Sequence, residues 1–410
     1  MSAPLVPSLF GTCKVLTAAI IWVVNQIILA IAVVIPPLKG LADWLGSDPV
    51  VTALTWLVAM TVMLVWAAMI NLLTVMWLER KFYSRLQDRY GIMVSIWSLP
   101  FWPFNRKDRP THKGWGYLQN VADGVKLLQK ENLTPRGADR AMFHTAPILI
   151  ASTTVLIFAA LPWSSGFYIA RVDLNLLFIL AAFSLAPFGI LLAGWSANNK
   201  YTLLGGMRAA AQLLAYEIPM ILAVIALTFS TGSLDVFEIV AQQDTTLTVL
   251  GAATPIPAWY VFGPQVLGFI VFVVAMMAEL ERIPFDIPEA EAELVEGWTT
   301  EYSGMRFGLL FGFKWLRMIA GAGLVVLLYL GGWTGPVFVT FDVAGIAVPI
   351  VPEEGWFLLK TWLLCMVFVW VSWSVPRIRI DQILQLGWKR LIPLALLAIL
   401  VAAGASAVGW

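Results

Sequence analysis

Residues 209–230 read AAAQLLAYEIPMILAVIALTFS, an apolar run carrying one formal charge, Glu217. At 1.5 Å per residue, a helix of this length crosses the ~30 Å hydrocarbon core of a bilayer. Eight comparable runs flank it, which predicts nine spans: roughly 15–36, 51–78, 144–164, 173–194, 209–230, 263–282, 304–331, 355–375 and 389–409. The 410-residue chain is 60% hydrophobic and only 12% charged, with 20 Trp and 23 Phe. Too little charge is present to cover a soluble surface of that size. The expected fold class is all-α, a polytopic transmembrane helix bundle with interfacial amphipathic helices on the cytoplasmic side.

Lysine and arginine orient the bundle. With the N-terminus cytoplasmic, 79–143, 195–208, 282–306 and 377–390 fall on the inner side and the C-terminus on the outer side. Of the 26 basic residues, only Lys39, Arg171 and Lys360 then lie outside the N-terminus, the inner segments and the inner half of 304–331. The positive-inside bias selects this topology. Lys14 precedes an apolar run without a small-residue cleavage pattern, so no cleaved signal is expected. Trp163, Trp195, Tyr260, Trp333 and Trp356 sit near span ends, where headgroup-level anchors are expected. The outer loops 232–260 and 332–353 are rich in Gly, Pro and Thr and carry little chemistry.

Redox centres have no ligands here. Cys13 and Cys365 are far apart, His112 and His144 are the only histidines, and neither CxxC nor a glycine-rich nucleotide fingerprint occurs. Iron–sulfur, haem, flavin and structural metal are not expected in this chain.

The ionisable residues are concentrated instead. AELERIPFDIPEAEAELVEGWTTEY (278–302) holds eight of the chain's 25 acids and one arginine, Arg282. Charge beside or within a membrane is costly and marks paths for protons, ions or substrate. Glu289, Glu293 and Glu296 recur at i, i+4 and i+7, so a helix would stack them on one face with Glu291 beside them. Such carboxylates titrate as a coupled set. A solvated acidic loop is the plain alternative, but Pro284 and Pro288 stiffen the segment. Phe285, Ile287, Leu294 and Val295 are also too apolar for a free loop.

Glu217 lies about nine residues, roughly 13 Å, into its span. It reads as a proton-relay group beside Tyr216, against the plainer reading of a hydrogen-bonded neutral acid. In a later span, Lys314 and Arg317 share a face at i, i+3. Snorkelling is the plain expectation for Lys314; Arg317 is deeper and is expected to pair with an acid. The segment 121–131 places Val121, Val125 and Leu128 on an apolar face opposite Asp123, Lys126 and Lys130. The turns 196–212 and 375–393 read as polar entries to helices or simple anchors.

Taken together, these segments resemble the quinone-channel subunit of respiratory complex I, the family of NADH-quinone oxidoreductase H subunits. The matching pieces are ERK (79–81) with Gln87 and Arg89, GYLQNVADGVKLLQKE (116–131), DLN (173–175) and NNKYTLLGGMRAAAQLLAYE (198–217). AELERIPFDIPEAEAELVEGWTTEYSGMRFGL (278–309), PRIRIDQ and GWKRLIPL follow in order. The likeness runs from about residue 51 to the C-terminus, leaving 1–50 as an extra span and outer loop. It implies a non-redox subunit of a proton-pumping translocase in the bacterial plasma membrane, with no independent catalysis. Quinone is its substrate, and Arg80, Gln87, Arg89, Asp123 and Lys126 belong to the tunnel entrance or its frame. Glu279, Arg282, Asp286, Glu289, Glu291 and Glu293 form an acidic path that Glu217 extends. The implied partners are hydrophilic quinone-site and iron–sulfur subunits, small membrane subunits, antiporter-like subunits and lipid, with no nucleic acid.

The chain departs from that family in four places: the extra N-terminal span, an insertion over 91–114, Lys314 where the family often has Glu, and Ser372 where an Arg is expected. Three other readings compete. A membrane subunit of an energy-converting hydrogenase would share the plan but use no quinone; the ERK…Gln87…Arg89 and ADGVKLLQKE segments look like the quinone-using branch. A stand-alone ion carrier calls for internal repeats with broken helices, which are not evident. A structural anchor leaves Glu217 unexplained.

Overall fold

The computed structural model describes residues 71–89, 91–92, 116–169, 171–172, 174–244, 246–249, 252–335, 340–343, 346–349 and 353–407, with isolated positions between 50 and 61. The expected span 15–36, the loop up to 49, most of span 51–78 and all but the first two residues of the 91–114 insertion lie outside the described residues. Six helical stretches are long and apolar enough to cross a membrane, by length and composition. The first is α3 (Arg140–Ala160). The second joins α4 (Asn175–Ser184) to α5 (Ala186–Ser196), and the third is α6 (Lys200–Thr231). Next come α10 (Gly304–Tyr329) and α11 (Glu353–Ser374). The sixth runs from α12 (Ile380–Gln385) through a π segment, Leu386–Leu391, into α13 (Ile392–Ala407). The run predicted over 263–282 forms a shorter apolar helix, α8 (Val266–Glu279).

Shorter helices lie between these: α1 (Leu73–Leu86), α2 (Gln119–Gln129), α7 (Val236–Gln243) and α9 (Glu291–Leu294). The helical class therefore holds, with two additions in the loops read as carrying little chemistry. One antiparallel hairpin pairs β1 (Thr246–Val249) with β2 (Ala252–Pro257), and another pairs β3 (Thr340–Val343) with β4 (Ile346–Pro349). Thr and Val recur in both, residues whose branched side chains suit a pleated ribbon.

Local signals set the helix ends. Asp139 caps α3 by accepting from the Ala141 and Met142 amides, Asn199 caps α6 through Tyr201, and Asp235 caps α7 through Phe237. Gly232 stops α6 in the left-handed conformation, φ 67°. Inside α6, Pro219 has no amide to offer the Ala215 carbonyl one turn earlier. The π segment crosses there: a Cβ on Gly387 would sit 3.2 Å from that carbonyl. The Tyr216 hydroxyl donates to the Ile383 carbonyl at 3.0 Å nearby, tying α6 to α12.

The core is centred on α10, in which every residue from Trp315 to Tyr329 is buried. A helix apolar on all sides belongs in the middle of a bundle. A second cluster joins Phe143, Ile150, Ile190, Leu213 and Leu310 to Trp298 and Tyr302, so the aromatic foot of the acidic segment is wedged between α3, α5, α6 and α10. The outward faces of α6 and α13 expose Ile218, Ile225, Phe229, Leu397 and Leu400. Trp195 is exposed as an anchor should be, but Trp163 and Trp333 are buried. Trp163 packs against Phe158 and Phe357, and Trp333 against Phe237. Those two are core residues, not anchors.

Contacts between connecting segments sort them into two ends that match the predicted alternation. At one end, Ser164 and Ser165 donate to Glu354 and Glu353, and Arg171 pairs with Asp235 at 2.9 Å. At the other end the Leu133 amide donates to Ser303, the Asp139 amide to Ser196, and the Ile378 amide to Pro284. Two of the basic residues left over by the charge rule have local partners at the first end. Arg171 has Asp235. Lys360, only 8% exposed, directs its ammonium at the carbonyls of Leu330, Gly332 and Thr334 and lies 4.3 Å from the Trp259 ring. Three N–H donors meet three acceptors, so this lysine closes the C-terminal end of α10. Lys360→Met is expected to destabilise the chain by about 3 kcal/mol, because it strands buried acceptors. Thermal unfolding of the detergent-solubilised protein checks this; an unchanged midpoint contradicts it.

Candidate functional site

The charged end is organised around the segment after α8. Gln212 of α6, 1% exposed, holds it by donating to the carbonyls of Ala278 and Phe285 at 2.9 and 2.8 Å. Asn199, the α6 cap, also donates to Glu301 at 2.7 Å. Glycine lets the backbones meet: a Cβ on Gly205 would lie 2.7 Å from the Trp298 amide nitrogen. One on Gly297 (φ +59°) would strike the Pro288 carbonyl. Phe285, Ile287 and Leu294 are buried as their apolar character predicts, whereas Val295 is 59% exposed.

The stacked acidic face does not form. Within 287–296 only Glu291–Leu294 is helical, and Val295 at φ 66° turns the chain away. Glu289 turns to Lys314 at 2.6 Å, while Glu293 pairs with Arg208 at 2.6 Å. Cations on two other helices pull the carboxylates apart, and a single face would have left them facing one another. The Glu291 side chain lies outside the described residues.

What replaces the face is a series of ion pairs between the acidic segment and the elements around it. Asp286 meets Arg377 at 3.3 Å and Lys314 at 3.9 Å. Burial pushes the Asp286 carboxyl above its ordinary range; Lys314 opposes that shift and Glu289 adds to it. Lys314 does not snorkel. Its side chain is 17% exposed and is held by the two carboxylates. Arg317 pairs with Glu279 at 2.9 Å, with side chains 6% and 3% exposed, the deep pairing expected of it. Glu281, 3% exposed and at φ 49°, lies between, with one carboxylate oxygen unpartnered among the described residues. Glu217 is half-buried on α6, with the Ser184 hydroxyl of α4 within hydrogen-bonding reach, and is close enough to Glu279 to repel it.

Arg282 starts a second branch. It reaches Glu79 of α1 at 3.3 Å and lies 4.0 Å from the Trp315 ring, a cation–π contact. From the next residue of α1, Arg80 pairs with Asp123 of α2 at 2.7 Å. Gln87 donates to the Tyr83 hydroxyl, and Arg89 lies 5.0 Å from the Tyr83 ring, which stacks on Trp373. Lys126 is exposed. Val125 and Leu128, read as the apolar face of an interfacial helix, are also exposed, and Leu127 packs on Gly308 of α10. The Arg80–Asp123 pair and the Asn120 bond to the Leu73 carbonyl turn the polar side of α2 toward α1. Ser372 is buried, its hydroxyl donating to the Phe368 carbonyl of its own helix.

Two cavities open beside these pairs. One of about 150 Å³ is lined by Asp286, Glu289, Glu296, Trp298 and Lys314; another of about 250 Å³ lies between Arg208, Glu293, Arg379 and Asp381. Asp286 and Arg377 wall both. Arg208 and Arg377 belong to turns that read as anchors, and spacing alone does not mark Glu79, Glu281 or Trp315. The one signal for the two arginines is the excess of acids over bases in the distant 278–302 segment.

A profile of the family described as NADH dehydrogenase matches residues 58–403. The F(420)H(2) dehydrogenase H subunit of Methanosarcina acetivorans is 40% identical over 351 residues, covering 83% of this chain and 91% of that one. An NADH-quinone oxidoreductase H subunit of Syntrophobacter fumaroxidans is 40% identical over 79% and 88%. The corresponding H subunit of Bacillus cytotoxicus NADH-quinone oxidoreductase is 39% identical over 77% and 88%. This chain belongs to the family of NADH-quinone oxidoreductase H subunits. It is an integral membrane protein, and its apolar helices fit that family.

In this family member the Arg317–Glu279 pair is the deepest of the described ion pairs, and removing one partner leaves a buried charge. Arg317→Met is expected to cost about 3–5 kcal/mol, most of it recovered when Glu279→Gln is added. Thermal stability across the four-member cycle decides it; a double variant as unstable as the single one contradicts the assignment.

Proposed function

We propose that this chain is the membrane subunit of a complex I-type oxidoreductase, enclosing a quinone-binding tunnel and coupling quinone reduction to proton translocation. The observation that carries the reading is the run of carboxylates matched to cations from other elements. It goes from Asp286 and Glu289, beside polar cavities, through Glu281 and Glu279 to the half-buried Glu217. A carboxylate held by a nearby cation changes its proton affinity whenever that cation moves, so such a run passes a local charge change along as proton transfers.

Quinone is the substrate, taking up two electrons and two protons to become quinol. The electrons come from iron–sulfur-bearing partner subunits, and this chain performs no redox step alone. Arg80, Gln87, Arg89, Asp123 and Lys126 frame the tunnel entrance. Arg282, stacked on Trp315 and paired with Glu79, joins that frame to the acidic path through Glu279, Asp286, Glu289, Glu291 and Glu293. Hydrophilic quinone-site subunits, small membrane subunits and antiporter-like subunits complete the complex. The N-terminus faces the cytoplasm and the C-terminus the outer side of a bacterial plasma membrane. Relatives of nearly equal identity carry names with different electron donors, NADH and F(420)H(2). Donor choice is accordingly assigned to other subunits of the complex.

The test uses membranes containing the intact complex. Glu217→Gln and Glu289→Gln are each expected to lower quinone-linked activity or proton uptake about tenfold or more, while assembly and artificial-acceptor reduction persist. Wild-type rates in both variants return the acidic segment to a structural role and favour an anchor or a quinone-free, hydrogenase-like subunit.

A further inference from the structure

Lys314 lines two neighbouring cavities. Its outer neighbours are the Glu289 carboxylate at 2.6 Å and the Asp286 carboxylate at 3.9 Å, in the wall of the 150 Å³ cavity. On its inner side is a cavity of about 10 Å³, room for one water molecule, which it lines together with Glu281, Arg317, Trp298, Ile150 and Ile190. Glu281 is only 3% exposed, lines that cavity and has one unpartnered carboxylate oxygen among the described residues. Lys314 is the cation whose field Glu281 feels most strongly. Four methylenes form a flexible stem that lets a lysine head swing between neighbouring sites.

We propose that Lys314 is a two-position proton carrier between the outer carboxylates and Glu281, which makes it the gate of the path. The inference rests on the proton-path reading above. In the outer position the ammonium is held by Glu289 and Asp286. When Glu289 takes up a proton, that attraction is lost and the ammonium turns to the Glu281 carboxylate. There an N–H bond breaks and an O–H bond forms, leaving neutral amine and neutral acid. The amine swings back and takes the proton from Glu289, restoring the ammonium and the outer carboxylate. One proton has moved inward, and no electron is transferred. Among the described residues, the charged groups around Lys314 are Glu281, Arg282, Asp286, Glu289 and Glu296 of the acidic segment and Glu79 of α1, with Arg317 on its own helix and Arg377 behind Asp286. From α3 and α5 only the apolar Ile150 and Ile190 face the inner cavity.

Arginine separates a carrier from a fixed clamp, because guanidinium keeps the outer ion pairs but does not release its proton in a protein. In proteoliposomes holding the intact complex, Lys314→Arg is expected to keep assembly and artificial-acceptor reduction while quinone-driven proton uptake falls about tenfold or more. Wild-type uptake in Lys314→Arg makes the residue a clamp and overturns the proposal. Loss in Glu217→Gln beside a normal Lys314→Arg removes the carrier alone; normal uptake in both removes the path reading as well. Structure determination of the wild-type complex, at rest and during turnover, needs no variant to fold. It is expected to find the Lys314 nitrogen within hydrogen-bond distance of Glu281 in part of the turnover population. A nitrogen found only on Glu289 in both states overturns the carrier.

Discussion

Arg317 and Glu279 are almost fully buried, with side chains 6% and 3% exposed, between α10 and the end of α8. Neither charge survives there alone: the desolvation cost of each amounts to several kcal/mol, and only an opposite charge at contact distance offsets it. The requirement propagates. To bring Arg317 to Glu279, α10 must cross the end of α8, and the chain between them must fold back over the contact instead of running out into solvent. Gln212 fixes that return at both ends of its first turn, and the glycines at 205 and 297 let it lie flat against α6. The aromatic foot of Trp298 and Tyr302 then fills the space between four helices.

The same electrostatic rule explains why the acids disperse. A helix carrying Glu289, Glu293 and Glu296 on one face would put like charges beside one another with no cation in reach. Arg208, Lys314 and Arg377 each come from a different element, and each takes one or two carboxylates. The segment therefore has almost no regular structure of its own. Its shape follows from where the surrounding helices put their cations, which sequence periodicity does not encode.

That dependence decides what is legible in the sequence. Bulk hydropathy is summed over many residues, so it survives local exceptions. The runs over 144–164, 209–230 and 304–331 all appear as helices of spanning length. The burial of Arg317 beside an acid is also readable, since a charge placed mid-span must find a partner. Spacing rules fail where tertiary contacts overrule them. Glu289 and Glu293 have helical spacing, yet Lys314 and Arg208 draw them apart. Trp163 lies near a span end like an anchor, yet Phe158 and Phe357 enclose it. Arg208 and Arg377 look like anchors because their partners lie 85 and 91 residues away along the chain.

The two ends of the bundle use buried cations in opposite ways. Lys360 is surrounded by neutral carbonyls, all three of its donors are used, and the groups it touches do not titrate near neutral pH. Its position is fixed by geometry. Lys314 is surrounded by carboxylates whose own charge depends on a proton, and a cavity lies on each side of it. One lysine is fixed by partners that do not change, the other is held only as long as its partners stay ionised. The difference lies in the partners and not in the residue, and it places responsiveness at the end of the bundle where the acidic segment lies.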